Sequence, residues 1–141
     1  DPNIKRWNEG FRQDVRNFIT EESIYEALLV DDRKVLTEGS RSNLFFIDAE
    51  NRIRTAPEHI ILPGITRKFI LEIYQANKLE VIQQTVALSE LNQMQSCFLS
   101  GTSPKVLPIR AIDDFYFNAS HPNLSILIKA YDKMIFEHLR D

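Results

Sequence analysis

The run EGSRSN, from Glu38 to Asn43, is the stretch of this chain that decides its fold. A strand-like segment that opens at Val35 leads into it, and the apolar run from Leu44 to Ile47 follows it, so two buried strands are predicted to meet here. Two further runs, LPGITR from Leu62 to Arg67 and LSGTSP from Leu99 to Pro104, also join turn residues to apolar segments. Turns of this kind present backbone donors to anions. Together, the three runs predict a site for a phosphate-bearing cofactor.

The hydrophobic pattern predicts a mixed α+β domain of about seven strands and three helices. Strands are expected at Ile24–Val30, from Val35, at Leu44–Ile47, at Arg52–Thr55, at Leu79–Ile82, at Ser96–Leu99 and at Val106–Ile112. Helices are expected at Ile4–Phe18, from Ile65 after Gly64 and from Asn123 in the tail, with a short helical segment around Leu88–Met94. Pro108 places the last strand at a sheet edge or at a bulge.

Length and composition restrict the class of protein. The 141 residues suit one domain, and 43% hydrophobic with 26% charged residues is typical of a globular chain. A formal charge of -3 offers no basic footprint for nucleic acid, and no apolar run approaches the roughly 20 residues of a membrane span. Cys97 is the only cysteine, so no intramolecular disulfide can form and a cytoplasmic location is expected. The chain begins at Asp1 without Met, which indicates processing or a fragment.

Two hydroxyl-bearing turns are candidates for holding the phosphate. Gly64 stands just before a predicted helix, where free first-turn amides and the Thr66 hydroxyl can bind an anion. Gly101, Thr102 and Ser103 follow a predicted strand and carry two hydroxyls outside the strand ladder. Each run is also compatible with an ordinary turn. Together they can hold one phosphate from opposite sides.

Glu38 is the candidate acid of the site, because it stands at the end of a predicted buried strand. A carboxylate at a strand end can simply be solvated. If it is partly buried, it needs a cationic or protonated partner to offset the cost of desolvation. A protonated pyridine ring would be such a partner.

The order of Ile4-Lys5, EGSRSN, LPGITR and GTSPKVLP resembles the larger, C-terminal domain of the class IV aminotransferases, the fold-type IV pyridoxal phosphate family. The similarity runs from about Asn3 to Asp113. The family includes branched-chain aminotransferases, D-amino acid aminotransferases and 4-amino-4-deoxychorismate lyases. The resemblance implies that residues 1–141 form one cofactor-binding domain, the C-terminal pseudobarrel-like domain of the D-amino acid aminotransferase-like fold, with pyridoxal 5'-phosphate as cofactor.

The resemblance also implies a role for each matching residue. Lys5, 33 residues before Glu38, corresponds to the catalytic lysine that forms the internal aldimine, although a lysine so near a chain end is otherwise a solvated group. Glu38 corresponds to the carboxylate that keeps the pyridine nitrogen protonated. The other implied cofactor-binding residues are Ser40, Arg41 and Ser42 at the ring face, Asn43 at the end of the motif, and Gly64, Ile65, Thr66, Gly101, Thr102 and Ser103 around the phosphate.

The function implied is amino-group transfer between an amino acid and a 2-oxo acid. A pyruvate-releasing 4-amino-4-deoxychorismate lyase and a non-catalytic binding module are the alternatives. Gly10 stands where many branched-chain enzymes of the family have a tyrosine, which weakens that assignment. The smaller N-terminal domain of the family, which supplies an arginine to the phosphate, has no counterpart in these residues. The resemblance also implies a homodimer.

The remaining reactive side chains indicate structural roles. His59, His121 and His138 are far apart and have no metal-ligand spacing, so no metal site is expected. Cys97 lies in an apolar strand, where a buried and inert thiol is the usual case. Arg67 and Lys68 follow the phosphate turn and can add positive potential there, although exposed first-turn charges, as these are expected to be, usually contribute little.

Overall fold

The computed structural model describes residues 26–101 and 105–140. Lys5, the predicted helix Ile4–Phe18, Thr102 and Ser103 therefore lie outside the described residues.

The strands are β1 Leu28–Val30, β2 Val35–Gly39, β3 Asn43–Ile47, β4 Ile53–Thr55, β5 Val81–Gln83, β6 Val86–Ala87, β7 Ser96–Gly101, β8 Lys105–Pro108, β9 Ala111–Ile112 and β10 Phe115–Tyr116. The α-helices are α1 Ile65–Ala76 and α2 Pro122–Arg140, and 3₁₀ helices span Glu58–Ile60 and Leu88–Gln93.

The described strands form two sheets and one isolated hairpin. The larger sheet has the order β5-β4-β3-β7-β8, and the smaller sheet has the order β1-β2-β6. All pairs in these sheets are antiparallel except β4 with β5. The chain leaves the smaller sheet at Gly39 and enters the larger one at Asn43, so the turn between them lies at a sheet corner. The mixed α+β prediction is confirmed.

Strand β3 lies at the centre of the core because both of its faces are buried. Phe45 and Ile47 contribute to a cluster that includes side chains of α1 and α2, whereas Leu44 and Phe46 contribute to a second cluster beside the smaller sheet. A strand buried on both faces is apolar at nearly every position, which is the pattern that the run Leu44–Ile47 displays. Phe45 also stacks on Phe98 of β7, with ring centroids 4.8 Å apart.

We expect Phe98→Ala to lower the free energy of unfolding by about 3–5 kcal/mol, because it leaves a cavity beneath the Phe45 ring. Urea unfolding followed by circular dichroism measures the change. Tyr116→Ala is the matched control, since the Tyr116 side chain is 81% exposed and its removal should change stability by less than about 0.5 kcal/mol. Equal effects for the two variants would contradict the assignment of this core.

The predicted elements and the observed ones differ mainly at short strands. The strand expected over Val106–Ile112 is divided into β8, which ends at Pro108, and β9. Pro108 has no N–H to continue the ladder, and β9 turns instead through Asp113, at φ 50°, to pair with β10. Strands β6 and β10 have two residues each, too few to produce a periodic signal, so ten strands replace the predicted seven in the described part of the chain.

Neither of the two described α-helices combines the length and apolarity that a membrane crossing requires.

Candidate cofactor site

A pocket of about 130 Å³ lies where the sheet-corner turn, the loop before α1 and the end of β7 come together. It brings together the following predicted residues: Glu38, Arg41, Ser42, Asn43, Gly64, Ile65, Thr66 and Gly101. Leu62, Pro63 and Ser100 complete the described lining. Three runs that are far apart along the chain therefore meet at one place.

Asn43 joins the first of these runs to the second. Its Nδ2 donates a hydrogen bond to the carbonyl oxygen of Leu62 at 3.1 Å, and its Oδ1 accepts one from the amide of Gly64 at 3.2 Å. A Cβ on Gly64 would lie only 3.0 Å from that Oδ1, so a glycine allows this close approach. Asn43 thereby holds the loop before α1 against the sheet corner.

The N-terminus of α1 carries no side-chain cap, because its N-cap residue is Gly64. The first intrahelical bond runs from the amide of Lys68 to the carbonyl of Gly64 at 3.2 Å, which leaves the preceding first-turn amides without helical acceptors. The Ile65 side chain is 76% exposed, whereas Thr66 is buried. An uncapped helix N-terminus that opens into a pocket suits a phosphate group.

Glu38 is only 8% exposed, and its Oε2 accepts a hydrogen bond from the amide of Leu62 at 2.9 Å. The alternative of a solvated carboxylate at a strand end is therefore wrong. A carboxylate held in this way on the pocket wall favours a protonated group placed against it. A protonated pyridine nitrogen is one such group.

Ser100 is a site residue that the sequence analysis did not single out. It lies on β7 directly opposite Asn43, it is fully buried, and its Oγ has no hydrogen-bond partner among the described residues. A buried hydroxyl without a partner is uncommon, and a polar ligand in the pocket would supply one. The buried acid, the uncapped amides and this hydroxyl fit a phosphorylated pyridine.

Ser40 is the predicted ring-face residue that is absent from the described lining of the pocket. It is buried, and its hydroxyl donates a hydrogen bond to the carboxylate of Glu26, a residue that the sequence analysis missed. The antiparallel register of β1 with β2, Leu28 opposite Gly39, brings Glu26 close to this turn.

Arg67 differs from the expectation of an exposed first-turn charge, since it is only 1% exposed. Its Nη2 donates to the carbonyl oxygen of Ala56 at 2.9 Å, and its Nη1 pairs with the Oε1 of Glu58 at 3.3 Å. Burial lowers the pKa of this guanidinium, and the ion pair opposes that effect. Arg67 therefore anchors α1 to the segment before it.

The burial of Cys97 and the hydrogen bonds of His121 indicate structural roles for both residues. Burial raises the pKa of the Cys97 thiol, as expected for an inert core cysteine. The Nδ1 of His121 accepts from the amide of Asn123 at 3.1 Å, while its Nε2 lies 2.9 Å from the Oε1 of Gln95. These contacts place His121 at the start of α2. Within residues 26–101 and 105–140, no group of three or more potential ligands is suited to a metal ion.

Comparison with known proteins agrees with this geometry. The family Amino-transferase class IV matches residues 1–112. D-alanine aminotransferase of Bacillus licheniformis is 33% identical over 111 residues, which are 78% of this chain and 38% of that protein. The chain spans about a third of the length of the curated relatives that it matches.

Two solved structures illustrate the shared fold. A branched-chain amino acid aminotransferase from T.th., complexed with N-(5'-phosphopyridoxyl)-L-glutamate, has a TM-score of 0.78 at 26% identity over 86% of this chain and 41% of that one. A Legionella pneumophila protein assigned as a 4-amino-4-deoxychorismate lyase has a TM-score of 0.80 at 24% identity, over 86% of this chain and 46% of that one, a likeness in fold alone. With most of its length matched, the chain belongs to the class IV aminotransferase family.

Proposed function

We propose that this chain is the cofactor-binding part of an enzyme that transfers an amino group between an amino acid and a 2-oxo acid, with pyridoxal 5'-phosphate as cofactor. The observation that carries the proposal is one pocket that holds both the buried carboxylate of Glu38 and the uncapped N-terminus of α1. These two features match opposite ends of one phosphorylated heterocycle. When bound, the cofactor supplies an electron sink for the substrate carbon.

Each residue of the site has a distinct task in this proposal. Glu38 holds a proton on the ring nitrogen by its negative charge. The first-turn amides of α1 and the Thr66 hydroxyl bind the phosphate, and Gly101, Thr102 and Ser103 bind it from the opposite side. Lys5 is proposed as the amine that bonds to the cofactor, and its Nζ moves a proton to and from the substrate Cα.

The alternative is lyase chemistry, which would use the same acid and the same amine. The solved protein assigned as a lyase shares this fold, and no contact within the described part of the pocket separates the two reactions. Product analysis separates them. A transaminase needs a 2-oxo acid acceptor to turn over, whereas a lyase releases pyruvate from its substrate without one.

We also propose a homodimer in the cytoplasm. Apolar side chains remain exposed on the described surface of α2, among them Ile126 at 44% and Phe136 at 60%. A partner subunit would cover such groups, since exposed apolar patches mark interaction sites. Sedimentation velocity at high protein concentration should give the mass of two subunits, and a monomer at every concentration would contradict the proposal.

The proposed cytoplasmic location rests on the single cysteine of the sequence, Cys97.

Reductive trapping tests the proposed function directly. The full chain is incubated with pyridoxal 5'-phosphate, reduced with borohydride, digested and examined by mass spectrometry. We expect one labelled peptide, the one that contains Lys5, and its absence in Lys5→Arg. Labelling spread over exposed lysines such as Lys133 would contradict the amine assignment. Saturable binding of the cofactor without label at Lys5 would instead favour the non-catalytic binding module.

A further inference from the structure

We propose that Glu26 is a positioning residue, which fixes the sheet-corner turn and leaves the Ser42 hydroxyl with only its lone pairs to offer a ligand. The inference deepens the proposed function and rests on it for its ligand. Glu26 lies just before β1 and is partly buried. Its carboxylate accepts hydrogen bonds from three consecutive residues of the turn, Ser40, Arg41 and Ser42.

Both carboxylate oxygens of Glu26 are engaged. Oε2 accepts from the Arg41 amide at 3.2 Å and from the Ser42 Oγ at 3.1 Å. Oε1 accepts from the Ser40 Oγ and, at 2.9 Å, from the amide of Ala27. The amide of Ser40 also donates to the carbonyl of Ala27 at 3.0 Å. Hydrogen bonds to a carboxylate are charge-assisted and therefore stronger than those between neutral groups. Three such bonds from the turn hold it against Glu26.

The turn connects β2 of the smaller sheet to β3 of the larger one and lies outside the strands of both, so other hydrogen bonds hold it in place. Within the described residues, the backbone bond that closes it runs from the Gly39 amide to the Ser42 carbonyl, at 2.8 Å. A Cβ on Gly39 would lie 2.3 Å from the Ser42 Oγ and 3.1 Å from the Glu26 Oε2. The serine and the carboxylate therefore occupy the space beside a glycine, so that replacement of this glycine would displace both.

The hydrogen bonds determine the direction of the hydroxyl protons. A carboxylate only accepts, so Ser40 and Ser42 must each donate their single O–H to Glu26. Ser42 lines the pocket and retains only lone pairs for a ligand. The Arg41 amide is occupied as well.

The first turn of α1 and the Ser42 hydroxyl thereby offer opposite hydrogen-bonding groups to a ligand. The amides of α1 are donors and suit the phosphate, whereas Ser42 offers only lone pairs and suits an O–H or N–H of the ligand. Glu26 thereby helps to orient the bound cofactor through the Ser42 hydroxyl, which lines the pocket together with Arg41.

The test combines two readouts on Glu26→Gln. Hydrogen exchange of the Arg41 amide in the absence of cofactor, measured by NMR, should accelerate about tenfold, because the charged acceptor is lost. The dissociation constant of pyridoxal 5'-phosphate, measured by absorbance titration, should rise about tenfold. Glu72→Gln removes the same charge from an exposed position on α1 and should change neither value. Unchanged exchange or unchanged affinity in Glu26→Gln would overturn the proposal.

A double-mutant cycle separates positioning from general stability. Ser42→Ala alone should weaken cofactor binding while the thermal unfolding midpoint stays within a few degrees. Adding Glu26→Gln to Ser42→Ala should cost less than the same change in the wild type, because both residues act through one contact. Fully additive effects would contradict the proposal. If Glu26→Gln does not fold, unchanged affinity in Ser42→Ala would overturn it. If the wild type does not bind the cofactor, the proposed function fails, and the exchange measurement still tests the support of the turn.

Discussion

Replacement of Lys5 by alanine is expected to lower kcat for amino transfer by about 10³-fold, within the range that a positioned acid–base group contributes. The physical reason is that no lysine among the described residues lines the pocket, so none of them replaces the amine that carries the proton to and from the substrate Cα. Single-turnover kinetics with the bound cofactor measure this step. Lys133→Ala is the matched control, since Lys133 is a solvent-exposed lysine on α2, and it should retain wild-type kcat.

Chemical rescue sharpens the test of Lys5. A small primary amine added to Lys5→Ala should restore part of the rate in proportion to its concentration, because it supplies the missing base. A variant that keeps wild-type turnover would contradict the assignment. A variant that loses activity without rescue, and with a changed circular dichroism spectrum, would indicate a structural role for Lys5.

Replacement of Glu38 by glutamine is expected to lower kcat by about 10²–10³-fold, the cost typical of removing one preorganised electrostatic group. The amide oxygen of glutamine can still accept the hydrogen bond from Leu62, which is 2.9 Å long in the native pocket, so the fold of the loop should persist. The lost quantity is the negative charge, without which the ring nitrogen holds its proton less firmly.

The measurement for Glu38→Gln is the pH titration of the cofactor absorbance, together with kcat and the dissociation constant of the cofactor. The ring nitrogen should lose its proton at lower pH in the variant, while the affinity changes much less than kcat, because the phosphate contacts remain. Glu72→Gln serves again as the exposed control. An unchanged pH titration in Glu38→Gln would exclude contact between this carboxylate and the ring.

The elements around the site were predictable because their signals are local. The run Leu44–Ile47 is apolar at successive positions, as a strand buried on both faces must be, and it coincides with β3. Gly64 followed by an apolar repeat predicted a helix, and α1 begins at Ile65. The order of the three motifs also indicated the family, which the comparison with known proteins confirmed.

Other parts of the site depend on partners that no local pattern indicates. Arg67 was expected at the surface, because arginine in a first turn usually is exposed, but the carbonyl of Ala56 and the carboxylate of Glu58 compensate its burial. Ser100 lies in the run LSGTSP, one residue beyond the strand predicted over Ser96–Leu99, and no local signal singled it out. Only the packing of β7 against β3 reveals that its hydroxyl lacks a partner among the described residues beside the pocket.

By itself, the sequence determined the longer strands and helices of the described residues and the motifs they carry, since hydrophobic periodicity and turn chemistry act over a few neighbouring residues. Tertiary structure alone decided that Asn43 joins two of the motifs and that Glu26 supports the turn between the sheets. The physical reason is that these contacts join residues up to 21 positions apart, whose meeting depends on strand register and sheet order.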